Sequence, residues 1–145
     1  MNSLTGGKMN NKEWNKFLSE RYALEGHHFW KHKQSENWII SHKGCMVIAD
    51  KEDIKFSQPV YVKNEPDAVV MYGTATISDE DGNSKEVSTH GEANHKNCYV
   101  PYPFAMAEKR LKDRLTLMII SAYGEVYSEI EADEFAAQQK QNETE

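Results

Sequence analysis

The chain has 145 residues, a formal net charge of −6 at pH 7 and a hydrophobic content of 39%. This length and composition are typical of one globular domain and exclude a fibrous or wholly disordered chain. The acidic balance excludes a generally basic nucleic-acid binder, but it is compatible with a local basic groove, because phosphates respond to charges within about 8–10 Å.

The N-terminal part of the chain is predicted to contain a flexible segment followed by one helix. Residues 1–11 are rich in glycine and asparagine, and we expect them to be flexible. Apolar residues then recur at steps of three to four from 12 to 24, which predicts an amphipathic helix. An aromatic and basic run follows at 27–33, and residues 38–40 predict a strand. We favour core positions for Trp30 and Trp38 over a role as stacking platforms.

The middle of the chain is predicted to be mostly β-structure. Residues 44–53 are ambiguous between strand and helix, and we favour a short helix. Residues 60–62 and Ala68–Ser78 are rich in Val, Tyr, Thr and Ile, which predicts strands. Turn-forming residues occupy 79–83, so residues 85–90 are predicted to return as an antiparallel partner.

The C-terminal part of the chain predicts a long helix, which completes the set of elements from which the fold class is predicted. Residues 91–102 are expected to form a loop, followed by a long helix over 103–124 that a glycine ends. The predicted fold is therefore α+β, with a curved antiparallel sheet of three or four strands and an N-terminal and a long C-terminal helix packed on it. We place this single domain at 12–135, with a disordered polar tail at 136–145.

The long helix has an apolar stripe that must bury against the sheet, made of Phe104, Ala107, Leu111, Leu115, Met118 and Ala122. Four cations surround the stripe. Lys109 lies opposite it, and Lys112 flanks it on one side. Arg110 and Arg114 flank the other side, where an arginine can cover apolar surface with its stem and offer its planar fork to a phosphate. Pairing of each cation with a carboxylate such as Asp113 stays open, and for the cluster as a group we favour ligand contact.

The segment AMAEKRLKDRLTLMIISAYGEVYSE follows a β-hairpin and a Gly-Glu-Ala stretch, and its alanines and cations recur in a rhythm that ends in glycine. In this it resembles the phage single-strand annealing proteins of the Erf and Redβ kind, a superfamily that includes eukaryotic recombination annealases. The matching positions are Ala105, Ala107, Lys109, Arg110, Arg114 and Gly124. Where the family often has small residues, this chain has Leu111 and Leu115. The resemblance covers residues 36–135 in the order of elements and only the helix in detail.

The resemblance implies an oligomeric ring or filament that holds single-stranded DNA along a basic groove and pairs complementary strands without ATP. Single strands are bound by cations on the backbone and by aromatic rings on the bases, each stack contributing about 1–3 kcal/mol. The predicted nucleic-acid-binding residues are Lys109, Arg110, Lys112 and Arg114 on the helix, Lys31, Lys33 and Lys96 as further cations, and Tyr99 and Tyr102 near bases.

No enzymatic activity, cofactor or metal is predicted, because the chain lacks the phosphate-binding loop, the dinucleotide turn and the serine-nucleophile motif. No apolar run approaches the ~18–20 residues of a membrane span, so no membrane partner is expected. With two cysteines and no secretory signal, we expect a cytoplasmic protein, in the host cytoplasm if it is phage-encoded.

Two alternatives stay open. One is a small protein-interaction or inhibitor module whose basic helix binds an acidic partner. The other is a zinc site made by His90, His95 and Cys98 with His42 and Cys45, which would close only if the two segments meet in space.

Overall fold

The computed structural model describes residues 9–33, 35–94 and 103–128. The elements in chain order are α1 (Asn11–Tyr22), a 3-10 turn (Gly26–His28), β1 (Phe29–Lys31), β2 (Trp38–Ile40), α2 (His42–Lys51), β3 (Lys55–Phe56), β4 (Val60–Glu65), β5 (Ala68–Ser78), β6 (Ser84–Asn94), α3 (Pro103–Ile119) and β7 (Tyr127–Ser128). The predicted α+β class, with an N-terminal and a C-terminal helix, is confirmed. The predicted tail at 136–145 and most of the segment at 1–11 lie outside the described residues.

Side-chain caps fix where the first two helices begin. Asn10 accepts a hydrogen bond from the Glu13 backbone N–H at 2.9 Å, and Glu13 accepts one from the Asn10 N–H at 3.1 Å, which forms a capping box at α1. The Ser41 hydroxyl accepts from the Gly44 N–H at 2.9 Å and starts α2. The helix favoured for residues 44–53 is therefore present and begins two residues earlier, at His42.

The main sheet is antiparallel and has β5 at its centre. Strand β6 pairs with β5 along its whole length, from Ala68 opposite Asn94 to Ser78 opposite Ser84. On the other side of β5, β4 pairs with its first half and β3 with its second half. Strand β6 continues through Gly91 to Asn94, so the predicted loop at 91–102 is wrong over its first four residues, and its remainder lies outside the described ones.

A second, smaller sheet joins distant parts of the chain. Strand β1 pairs antiparallel with β2, and β2 pairs in parallel with β7, which places Ile39 beside Tyr127. Asn11 ties the first turn of α1 to this sheet, because its side chain donates to the carbonyls of Trp38 and Glu125 and accepts from the Trp38 N–H. The predicted antiparallel sheet of three or four strands is therefore present as the four-stranded main sheet, and this second sheet is an addition that the sequence did not predict.

Helix α3 lies between the main sheet and α2. Ala107, Leu111 and Leu115 of the predicted stripe are buried against the sheet, next to Val69 and Met71 of β5. On the far side of the helix, Leu117 packs with Ile48 of α2 in a second apolar cluster. A helix packed on both faces buries positions that a one-sided amphipathic pattern assigns to solvent.

The long helix ends earlier than its sequence predicts. It stops at Ile119, where Ser121 adopts a left-handed conformation with φ of 65° and the Ala122 N–H donates to the Leu117 carbonyl at 2.8 Å. Gly124 has φ of 97°, but it belongs to the turn that leads into β7. In the described residues, no helix is both long enough and apolar enough to traverse a bilayer.

Candidate nucleic-acid interface

Arg110 and Arg114, one turn apart on α3, bind the outer edge of β6. The Arg110 Nη1 donates to the Glu92 carbonyl at 2.7 Å, and the Arg114 Nη1 donates to the His90 carbonyl at 2.8 Å. Arg114 also holds the Glu92 carboxylate with both guanidinium nitrogens, at 2.7 and 2.9 Å. The two arginines therefore bind main-chain acceptors of an edge strand, which in many proteins is covered by a helix to prevent further pairing.

This arrangement corrects two of the predicted DNA contacts. The Arg110 side chain is fully buried, with 0% of its surface exposed, so it cannot reach a ligand phosphate without displacing α3. The Arg114 side chain is 11% exposed, and its planar fork is already engaged by a carboxylate in bidentate geometry. The carboxylate-pairing alternative therefore describes Arg114, with Glu92 as its partner.

The partly buried Glu92 carboxylate is held in its ionised form by these arginines. Its burial by itself would raise the pKa of Glu92, but the hydrogen bonds and charge of Arg114, together with the charge of Arg110, outweigh burial and lower it. The three side chains thus form one charged unit whose function in the structure is to close the β6 edge.

The two lysines of the cluster remain at the surface. Lys109 is exposed, and Lys112 is partly exposed with its Nζ 3.8 Å from Glu108. One turn after Lys109, the buried Asp113 contacts the His42 ring at 2.6 Å, which connects the start of α2 to the middle of α3. The next residue of α2, Lys43, is exposed.

The hairpin β1–β2 exposes aromatic and cationic side chains together. Trp30 and Trp38 have 40% and 36% of their surface exposed, so the prediction that both are core residues is wrong. Lys31 and Lys33 are exposed beside them, and the register places Lys31 directly opposite Trp38. Because successive side chains of a strand point to opposite faces, Lys31 and Trp38 share one face of the hairpin as a phosphate contact and a stacking ring, whereas Trp30 lies on the other face.

The base of this hairpin lies beside the start of α2. His28 packs against the first turn of α2, where its main-chain carbonyl accepts from the Ser41 N–H at 2.8 Å. Burial, then the neighbouring charge of His27, and also that of Lys43, lower the pKa of His28, and its Nδ1 accepts a hydrogen bond from the Glu25 N–H at 3.0 Å. The Glu25 carboxylate acts in the opposite direction at His28, so this part of the surface carries charges of both signs.

Several predicted site residues lie outside the described part of the chain, namely Lys96, Tyr99 and Tyr102, and also His95 and Cys98 of the zinc alternative. Of the other zinc candidates, His42 contacts Asp113, and Cys45 is buried in the apolar cluster between α1, α2 and α3. Across residues 9–33, 35–94 and 103–128, no three His, Cys, Asp or Glu side chains gather closely enough to bind a metal ion.

Two residues that organise this region were not predicted from the sequence. Glu92 lies in the segment predicted to be a loop, whereas the structure places it in β6. Gly91 was not assigned a role, yet the backbone of α3 lies directly on it. In comparisons with known proteins, the chain matches no protein-family model and no curated sequence.

Proposed function

We propose that the protein binds single-stranded DNA and promotes ATP-independent annealing of complementary strands in phage-type recombination, as an oligomer and without enzymatic chemistry. The observation that carries this proposal is the hairpin β1–β2, where Lys31 and Trp38 are exposed side by side, Trp30 is exposed on the other face, and the exposed Lys33 follows directly after β1. A hairpin with this composition suits a sequence-tolerant single strand, because backbone and base faces are contacted by different side chains.

Two further features support the same proposal. An antiparallel hairpin followed by a helix that crosses the sheet is the order of elements in the annealing proteins that the sequence resembles. Lys43 of α2 and Lys109 of α3 are further exposed cations, whereas Arg110 and Arg114 act inside the protein. The proposed DNA contacts are therefore Trp30, Lys31, Lys33, Trp38, Lys43, Lys109 and Lys112.

The alternative of a basic helix that binds an acidic protein partner loses support from the same contacts. Two of the four cations on which it depended, Arg110 and Arg114, are engaged with β6 and Glu92. A helix with only Lys109 and Lys112 at its surface offers little charge to an acidic partner.

A salt titration of oligonucleotide binding tests the proposal. For a labelled single strand followed by fluorescence anisotropy, the logarithm of the binding constant should fall linearly with the logarithm of salt concentration, with a slope near −0.7 per phosphate contacted. The double variant Lys31→Ala/Lys33→Ala should reduce the magnitude of that slope by about 1.4, because two phosphate contacts are lost. The matched control Lys16→Ala/Lys55→Ala removes the same charge from other exposed positions and should leave the slope unchanged.

The aromatic contribution is tested separately. Trp30→Ala should weaken binding by about 1–3 kcal/mol, whereas Trp30→Phe keeps a stacking ring and should retain most of the affinity. Annealing itself is measured by the quenching of two complementary labelled strands without nucleotide. Absence of binding at low salt, or equal effects of the hairpin and control lysine variants, would refute the proposal.

A further inference from the structure

The negative charge of the chain is concentrated in its last 17 residues, 129–145, which we call the acidic segment. This segment contains six carboxylates and one lysine, a net charge of −5. Since the whole chain carries −6, residues 1–128 together carry −1. Within that part, residues 1–43 contain seven Lys or Arg and four Glu, a net charge of +3, and they include the hairpin β1–β2. The first part of the chain and the acidic segment are therefore oppositely charged.

The smaller sheet places the start of the acidic segment beside the hairpin. Strand β7 pairs in parallel with β2, and Ile40 lies between Ser128 on one side and Phe29 of β1 on the other. Ser128 is the last described residue before the acidic segment. It is therefore two strand spacings, about 10 Å, from the first residue of the hairpin.

Exposed lysines of this region are within reach of the first residues of the acidic segment. Lys31 lies two residues, about 7 Å, along β1 from Phe29. Lys43 follows Ile40 by three residues, which limits the distance between their Cα atoms to about 11 Å. Residues 129–134 contain four of the six carboxylates and span up to about 20 Å when extended. These carboxylates can therefore reach both lysines from the end of β7.

We propose that the acidic segment competes with single-stranded DNA, and that its carboxylates bind the exposed lysines Lys31, Lys33 and Lys43 of the same chain. Carboxylates and phosphates are bound by the same ammonium groups, so DNA must displace the segment before it contacts these lysines. A strand that contacts several copies at once displaces the segment more readily than a short strand does. The competition rests on the proposed function, whereas the contact itself is measured without DNA.

The size of the effect follows from the covalent link between the segment and its site. Such a link gives an effective concentration of about 1 mM, and a weak polyanion contact has a dissociation constant of about 0.1 mM. Their ratio lowers the apparent affinity for DNA about tenfold. Because the contact joins exposed charges, added salt weakens it and makes this reduction in affinity smaller.

Carbodiimide cross-linking of the full chain without DNA tests the contact. The reagent joins a lysine amine to a carboxylate as an amide, and mass spectrometry of the peptides identifies the pair. We expect links from Lys31, Lys33 or Lys43 to residues 129–134, at a yield that falls as salt is added. Lys55 and Lys63 of the main sheet are also exposed and serve as controls.

An equal mixture of unlabelled and isotope-labelled protein shows whether the contact lies within one chain. Links within one chain join two peptides of the same label, and links between chains also join peptides of different label. Equal yields at the control lysines, or links that join peptides of different label, would overturn the inference.

The competition is tested on variants of the full chain. Replacement of four carboxylates, Glu129→Gln/Glu131→Gln/Asp133→Asn/Glu134→Gln, should raise the affinity for a labelled single strand about tenfold at low salt. The matched control Glu20→Gln/Asp50→Asn/Glu80→Gln/Glu86→Gln removes the same charge from exposed positions elsewhere and should raise the affinity by less than about twofold. Equal gains in the two variants, or links without any gain in affinity, overturn the competition.

The two measurements separate the inference from the proposed function. A protein that forms the links but binds no DNA overturns the proposed function, and with it the competition, and leaves the contact standing. A protein that forms no links, and binds DNA equally well with and without the four carboxylates, overturns the contact and leaves DNA binding standing.

Discussion

Gly91→Ala is the substitution whose effect on stability follows most directly from the structure. A Cβ atom at Gly91 would lie 2.2 Å from the Ala107 carbonyl oxygen, 2.6 Å from the Leu111 nitrogen and 2.7 Å from the Leu111 Cβ. Two of these neighbours are backbone atoms inside α3, so no side-chain rotation relieves the overlap. The whole helix must instead rise from β6 by about 1 Å to reach ordinary contact distances, in a core packed at crystal-like density.

The cost follows from the contacts that this movement weakens. A gap of about 0.5–1 Å removes a quarter to a half of the dispersion energy between facing atoms. The helix presents Ala107, Leu111 and Leu115 to the sheet, and all three are buried. Overpacking of a rigid core typically costs about 1–3 kcal/mol, and we expect a value near the upper end, about 3 kcal/mol. With a urea dependence of about 2 kcal/mol per molar, the unfolding midpoint should fall by roughly 1.5 M.

Two other glycines supply matched controls in the same urea titration, followed by tryptophan fluorescence. A Cβ added at Gly26 has no atom within 4 Å. The change in unfolding free energy of Gly26→Ala therefore reports only the effect of alanine on the conformational entropy of the unfolded chain. Gly73 would meet the Leu111 Cδ2 at 3.0 Å, a flexible side-chain end, and Gly73→Ala should cost about 1 kcal/mol or less. If Gly91→Ala unfolds within about 0.3 M of Gly26→Ala, the close packing of α3 on β6 is refuted.

Three titrating groups give further predictions. The pKa of Glu92 is lowered from 4.5, so its contribution to stability is present above about pH 4.5 and is lost below it. In urea titrations at several pH values, Glu92→Gln should therefore lose less unfolding free energy at acid pH than the wild-type protein does. The pKa of His28 is lowered from 6.5, so stability should fall as pH drops below about 6.5, and His28→Asn, which keeps an acceptor for the Glu25 N–H, should remove this dependence. Burial, aided by the hydrogen bond to Glu52, raises the pKa of Tyr22 to about 12, and Tyr22→Phe should remove the last step of an absorbance titration at high pH.

The features that sequence predicted well are set by local chemistry. Strand β5 has the predicted bounds, because β-branched and aromatic residues fill Ala68–Ser78 and a turn follows at once. In that turn the Asp79 carboxylate accepts from the backbone N–H groups of Asp81 and Asn83, each at 2.9 Å. The start of α2 could also have been predicted, since Ser41 is a favourable N-cap residue.

The features that sequence missed depend on contacts between distant segments. The parallel pairing of β2 with β7 joins residues 39 and 127, and neither strand exceeds three residues, so no periodic pattern indicates it. Asp113 was considered only as a partner for the cations of α3, but it is buried and contacts His42, because α2 packs there. Trp30 and Trp38 were assigned to the core by residue type, although the short hairpin that holds them has too little cover to bury both.

The use of Arg110 and Arg114 at the β6 edge decides which variants can report on DNA binding. Releasing Arg114 toward a phosphate would break a bidentate contact with Glu92 and uncover the His90 carbonyl, so the gain from the phosphate would be offset by two lost interactions. A loss of DNA affinity in Arg114→Ala would therefore accompany a loss of stability and would carry no information about the interface. Lys31 and Lys33 are exposed, so a change in salt dependence there, with unfolding unaltered, assigns the phosphate contacts to these two lysines.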